Sequence, residues 1–235
     1  MIKEHNKRYI VSLGGSLIVP NGGIDTMFLI KFEKYIRKKV AQGCHFFIVT
    51  GAGVTGRHYI DAATKVCDHT LTDDDRDWLG IHATRLNAHL VRTIFRDIAY
   101  DIVIKEFSIV DKKAVEFPVV IAAGWKPGWS SDYDGVILAQ DYGVKELINL
   151  TNLDMVYNKD PRKYKDAKPI EKMTWSELIK IVGKKFSPGM NTPFDPIASQ
   201  LAQKIGLKVI ICNGHNLENL ENVLEGKKFI GTIIE

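Results

Sequence analysis

Three short segments carry glycine next to small polar residues: Gly14-Gly15-Ser16, Gly51-Ala52-Gly53 and Pro127-Gly128-Trp129-Ser130-Ser131. Each follows an apolar run that reads as a strand. Glycine lets a ligand approach the main chain, and the N–H groups that open a helix point at anions. One such segment is an ordinary turn. Three at comparable strand ends suit a phosphate-bearing ligand, because open α/β sheets bind ligands outside the carboxyl ends of their strands. The spellings GxxxxGK[ST], GxSxG and HExxH are absent, which argues against a P-loop, a nucleophile elbow and a zincin helix. Gly51 to Gly56 spells GxGxxG, but Arg57 follows at once and no acidic ribose partner is obvious downstream.

The remaining polar clusters have plainer readings. His82 and His89 share a helix face near Arg85, with no carboxylate at ligand spacing, so they read as surface residues. Asp73-Asp74-Asp75 reads as a solvated acidic loop, with Asp77 where that loop turns into a helix. Lys159, Arg162, Lys163 and Lys165 form a basic patch, either a solvated loop or an attractor of a triphosphate. Cys44, Cys67 and Cys212 lie far apart without a CxxC pair. They read as small buried hydrophobes in a reducing cytosol rather than a disulfide or zinc framework.

The elements that must position these residues alternate in type. Tyr9 to Leu13, Phe46 to Val49, Val119 to Ala123, Leu147 to Leu150 and Val209 to Cys212 read as buried strands, and Phe229 to Ile234 as a last one. Helical spacing is expected over residues 25 to 41, with Gly43 as its stop, and from Gly53 to Cys67. A long helix is expected over Arg76 to Ala99, with Trp78, Leu79, Leu86, Leu90, Ile94 and Ile98 as its apolar face. Further helices are expected over Asp132 to Tyr142, Ser176 to Val182, Pro196 to Ile205 and Leu217 to Leu224. This alternation predicts an α/β fold on a mostly parallel sheet covered on both faces. Asn158 to Lys168 is a polar excursion, and the loop around Asn158 to Pro169 is the best candidate boundary between two lobes, although one continuous sheet is the better reading.

The composition agrees with a globular chain. The 235 residues are 45% hydrophobic and 26% charged, with a net charge of +4. Disorder and collagen-like repeats are excluded. The mild positive excess permits anionic small molecules without calling for nucleic acid. Met1 to Arg8 does not read as a signal peptide, and no apolar run approaches the ~20 residues of a membrane span.

In order, the motifs are Ser12-Leu13-Gly14-Gly15-Ser16, Gly51-Ala52-Gly53 with Arg57, Asp77 through Gly80-Ile81 to Thr84-Arg85 and Asn87-Ala88, Pro127 to Asp132, Thr151 to Tyr157 with Asp160-Pro161, and Asp195-Pro196. This set resembles the amino acid kinase superfamily and, within it, uridylate kinases of the archaeal type, over nearly the whole chain. The resemblance implies a three-layer α/β/α sandwich. It implies a single domain of two lobes, an acceptor-binding part at about 1–145 and an ATP-binding part at about 146–235. It further implies a cytoplasmic enzyme, usually a hexamer, that transfers the γ-phosphoryl group of ATP to UMP with Mg²⁺ in pyrimidine nucleotide biosynthesis. Gly14, Gly15, Ser16, Gly53 and Arg57 would hold the ATP phosphates, and Thr151, Asn152, Tyr157 and Asp160 the adenosine. Gly51, Ala52, Asp77 and Trp125, Lys126, Pro127, Gly128, Trp129, Ser130 and Ser131 would hold UMP. Asp132 and Arg57 would be catalytic, and no protein metal site is expected.

Several residues depart from the family pattern. Ser12 stands where many members have a lysine, leaving Lys7, Lys126 or a metal to supply the charge. Met155 stands where glycine is usual, a strained choice if that position needs a positive φ. Ala52 replaces a glycine, Trp125 and Trp129 bulk up the acceptor loop, and Ser130-Ser131 replaces a threonine pair. Two alternatives stay open: another small-acceptor kinase of the isopentenyl phosphate, acetylglutamate or carbamate type, the first suggested by His58, and a nucleotide-binding or storage protein without catalysis.

Overall fold

The computed structural model describes residues 7–21, 23–107, 109–161, 163–187, 190 and 192–235. Met1 to Asn6 and Arg162, both read above, lie outside the described residues. The first strand, β1 (Arg8–Leu13), runs into a single helical turn, α1 (Gly15–Ile18), and then α2 (Thr26–Ala41). β2 (His45–Thr50) leads to α3 (Gly53–Val66) and α4 (Asp73–Ile94); a 3₁₀ turn (Lys112–Glu116) precedes β3 (Val119–Ala122) and α5 (Ser131–Asp141). The second half holds β4 (Glu146–Thr151), the short strands β5 (Val156–Tyr157), β6 (Pro169–Ile170) and β7 (Lys172–Met173), then α6 (Trp175–Val182) and α7 (Pro196–Ile205). It ends with β8 (Lys208–Asn213), α8 (Leu217–Leu224) and β9 (Thr232–Ile234).

Seven strands form one sheet in the order β3-β2-β1-β4-β8-β9-β7, and only the β8–β9 pair is antiparallel. Neighbouring residues of the central strands face opposite ways, as a period of two requires. Val11, Leu13, Ile48 and Ile148 pack against α2, α4 and α8, while Ile10, Phe47, Leu147 and Val209 pack against α5, α6 and α7. Both faces are therefore apolar and covered, which gives the expected three-layer sandwich. Asn158 to Lys168 closes the two-stranded β5–β6 ribbon, with Asn158 donating its N–H to Lys168 O at 3.1 Å. Among the described residues no helix is long and apolar enough to cross a membrane.

The long helix differs from its expected bounds. Asp73, Asp74 and Asp75 are its first turn and not a loop. Thr72 caps it: its hydroxyl accepts the Asp75 N–H at 3.1 Å, and the Asp75 carboxylate accepts the Thr72 N–H at 2.9 Å. Three carboxylates also suit the positive end of a helix. The helix stops at Ile94, and the chain then runs beside β3, where Tyr100 N–H meets Val119 O. The expected apolar face holds at its C-terminal end, where Leu90, Ile94 and Ile98 pack against the core, and fails toward its start. Trp78 and Leu86 are 42% and 64% exposed, while Ile81, Thr84, Asn87, Ala88 and Val91 face inward. Of the cysteines only Cys212 is buried; Cys44 lies in a turn and Cys67 ends α3, so both stay half-exposed.

The ends of β1 and β2 meet backbone to backbone. A Cβ on Gly15 would lie 1.9 Å from the Gly53 nitrogen, and one on Gly53, whose φ is +65°, would lie 2.4 Å from the Gly15 oxygen. No side chain fits between these loops. Gly15→Ala is expected to lower the unfolding free energy in a urea titration by about 1–3 kcal/mol, as overpacking against rigid neighbours does. Gly80→Ala, mid-helix with open space around a Cβ, is expected to gain up to about 1 kcal/mol from helix propensity.

Candidate active site

The glycine loops, the loop after β3 and the β4–β5 connection all lie at the carboxyl edge of the sheet. Because β1 sits between β2 and β4, Gly14-Gly15 divides that edge into two sides. On the β4–β8 side lies a cavity of about 590 Å³. Gly14, Thr151, Asn152, Tyr157 and Asp160 line it, as does Asp132. Gly15, Ser16, Gly53 and Arg57 of the expected ATP set do not. Gly15 and Ser16 open α1 against Gly53, and Arg57 is an exposed residue of α3.

The cavity also gathers residues that the motifs did not single out for it, Asn149, Lys180, Ile181, Val182 and Thr192, together with Met155 of the Thr151 to Tyr157 motif. Met155 is unstrained there, because no described non-glycine residue has a positive φ. Lys159 reaches the wall while its ammonium pairs with Asp166 at 2.6 Å. The ribbon and α6 bring these residues together from distant stretches, which explains why spacing alone missed Lys180.

On the β3–β2 side, α4 fixes two loops through its polar inner face. Asn87 donates to Gly51 O at 2.8 Å and Ala52 O at 3.2 Å. The Thr84 hydroxyl accepts the Gly124 N–H at 2.8 Å. Arg85 donates to Gly124 O at 3.0 Å and Trp125 O at 2.7 Å. Asp77, one turn from the helix start, accepts the Gly128 N–H at 2.6 Å. Burial raises the Asp77 carboxyl above the usual range, against the pull of that N–H. Ser130 then caps α5 by accepting the Tyr133 N–H at 3.2 Å. Ser131 is the first residue of that helix, one position ahead of Asp132. His58, His82 and His89 are exposed, in keeping with a surface reading.

Between the two sides stands Asp132. Its Oδ2 accepts the Asp195 N–H at 3.1 Å, Asn149 lies 3.4 Å from Oδ1, and the Ser12 hydroxyl is a further donor. The position that could have held a lysine thus holds a hydrogen-bond donor. Lys7 does not replace it. It precedes β1 at the opposite end of the strand from Ser12, five residues and about 17 Å away. Burial, then repulsion from the Asp195 carboxylate, pushes the Asp132 carboxyl up to about 7. Asp195, which caps α7 by accepting the Ala198 N–H at 2.6 Å, is raised by burial too. Asp134 is fully buried with no hydrogen bond of normal geometry to either oxygen, and burial raises it well above the usual range. The sequence reading had passed over Asp134, since a lone Asp in a helix carries no signal of burial.

These shifts have a definite sign. An acid with a raised folded pKa keeps its proton in the fold and loses it when unfolded, so stability falls as pH rises from the unfolded value to the folded one. Asp132 spreads this loss over pH 4 to 7. Asp132→Asn removes that titration. The urea midpoint of the variant, relative to wild type, is expected to be higher at pH 8 than at pH 4; an equal difference at both would refute the assignment.

The chain matches the model of the amino acid kinase family over residues 7–213. A uridylate kinase of Pyrococcus abyssi is 34% identical over 97% of this chain and 99% of its own length. One of Methanobrevibacter smithii is 33% identical over 96% and 97%. Among solved structures, the uridylate kinase of Archaeoglobus fulgidus superposes with a TM-score of 0.80 at 29% identity, covering 97% of this chain and 100% of that one. The expected fold and the ordered motifs thus have the same source: the chain belongs to the amino acid kinase family.

Proposed function

We propose that the chain is a UMP kinase, transferring the γ-phosphoryl group of ATP to UMP to give UDP and ADP, a step of pyrimidine nucleotide supply. The observation that carries this reading is the division of the carboxyl edge. A nucleotide-sized cavity on one side of Gly14-Gly15 and a pinned loop on the other let two nucleotides meet end to end over the glycines. The relatives in Pyrococcus and Methanobrevibacter, named uridylate kinases, support the choice of acceptor.

In this reading residues 146–235 take ATP and residues 1–145 take the acceptor. Thr151, Asn152, Tyr157 and Asp160 hold the adenosine. The main chain of Gly14, Gly15, Ser16 and Gly53, with Arg57, meets the phosphates. Gly51, Ala52, Asp77 and Trp125 to Ser131 hold UMP. The attacking group is a phosphate oxygen, ionised near neutral pH because its second pKa is about 6. No general base is needed. The protein aligns two anions and offsets the charge that spreads over the transferring group. Asp132, held by Ser12, Asn149 and the Asp195 N–H, orients the groups around that point.

Magnesium fits this arrangement. No three His, Cys, Asp or Glu cluster among the described residues, and an ion arriving on nucleotide phosphates asks for only one or two carboxylates. Asp132, on the cavity wall, would hold it, and the ion would neutralise phosphate charge. A neighbouring cation would also draw the Asp132 carboxyl back toward its ionised form.

The free cysteines suit a cytoplasmic protein. The exposed Tyr59, Val66, Trp78 and Leu86 of α3 and α4 suit self-association, as in a hexamer. A panel of nucleoside monophosphates, isopentenyl phosphate, N-acetylglutamate and carbamate, with ATP and Mg²⁺ in an ADP-release assay, tests the reading. UMP is expected to turn over in preference to CMP, AMP and GMP, and turnover with another acceptor alone, or none, would sink it. Asp132→Asn is expected to cut kcat about 10²-fold or more while nucleotide binding, followed by calorimetry, changes little.

A further inference from the structure

The loop after β3 carries a cluster of aromatic rings around one lysine. Trp125 and Trp129 meet edge to face, with centroids 4.7 Å apart and planes at 89°. Phe107 extends the stack behind Trp125 at 5.9 Å, and Tyr133 extends it behind Trp129 at 4.5 Å. The Lys126 ammonium lies 4.2 Å from the Trp125 ring centroid and 4.5 Å from that of Trp129. A lysine on an exposed loop ordinarily spreads over many rotamers. Here two indole faces hold the charge in one place. Lys126 pairs with no carboxylate among the described residues. Its positive charge therefore stays available to an incoming anion.

The stack has a fixed base. Arg85 grips the carbonyls of Gly124 and Trp125, and Asp77 holds the Gly128 N–H. None of the loop residues Trp125 to Ser131 lines the cavity on the β4–β8 side. The central strand end offers no cation, since Ser12 fills that place and Lys7 lies at the far end of β1.

We propose that Trp125, Lys126 and Trp129 select the acceptor: the indoles hold the Lys126 ammonium where it meets the acceptor's phosphate, and their bulk favours a single-ring base. This rests on the reading of the loop as the acceptor side. A dianionic phosphate attracts an ammonium more strongly than two π faces do, so the ligand draws on a charge already placed. Braced by Phe107 and Tyr133, the indoles resist displacement, so added bulk on a base meets a fixed wall.

Steady-state kinetics of the full chain with ATP and Mg²⁺ against UMP and AMP tests this, with folding of each variant checked by circular dichroism. Lys126→Met keeps the aliphatic stem on the rings and removes the charge. It is expected to raise the KM for UMP about tenfold with kcat within about threefold. Lys126→Arg restores a charge that stacks on indole, so its KM is expected within about threefold of wild type. Trp129→Ala is expected to lower the ratio of kcat/KM for UMP over AMP about tenfold. A Lys126→Met KM within twofold of wild type, or an arginine variant as weak as the methionine one, overturns the role of the charge. An unchanged ratio in Trp129→Ala overturns the role of the rings. If wild type turns over UMP and the variants behave like it, only this proposal falls; if wild type does not phosphorylate UMP, the acceptor reading falls and takes the proposal with it.

Discussion

The molecule is organised by a contact between main chains. At the ends of β1 and β2 the Gly14-Gly15 and Gly51-Ala52-Gly53 loops approach so closely that a single Cβ on Gly15 would overlap the Gly53 nitrogen at 1.9 Å. Gly14 N–H also reaches across to Leu150 O at 2.9 Å, and Gly51 N–H to Leu13 O at 3.0 Å. These bonds tie three adjacent strand ends into one rigid ledge. The close approach leaves no room for side chains between these loops, so the ledge is built of main chain alone. The crossover helices then have little freedom in where they begin.

The second organiser is the inner face of α4. A helix that packs on a sheet normally buries large apolar side chains. Here Thr84, Arg85 and Asn87 are turned toward the loops, and Trp78 and Leu86 are left outside. The exchange makes sense once the loops need holding. Their free carbonyls and N–H groups would be unsatisfied beside an apolar helix, and each such buried group is costly. Asn87 and Arg85 satisfy four carbonyls between them, at Gly51, Ala52, Gly124 and Trp125. The helix thus gives part of its packing face to holding the two loops.

That trade marks the limit of what could be read from the sequence. The five central strands came through, because Val, Ile and Phe in short apolar runs admit few other structures, whereas the last strand is only Thr232–Ile234 rather than Phe229–Ile234 and the two-residue strands β5, β6 and β7 carried no such run. Pro196–Ile205 and Leu217–Leu224 were legible to the residue, since Asp195 with Pro196 and then Gly206 punctuate one of them. The start of α4 and its inward face before Leu90 were not legible. Large hydrophobes suggested one face and the acidic run suggested a loop, whereas the capping pair Thr72 and Asp75 decided the start. On the site, adjacent motif residues were visible, but Asn149, Lys180 and Asp134 were not. Their importance comes from burial and from contacts made across the sheet, and neither leaves a local pattern.

The charge distribution follows from the same ledge. Buried acids gather just beneath it, with Asp132, Asp134 and Asp195 all raised by desolvation. A lysine at position 12 would have compensated them from the centre. Ser12 instead gives Asp132 a hydrogen bond and no charge. The cations Arg57, Lys126 and Lys180 are exposed instead, where solvation keeps each inexpensive to hold.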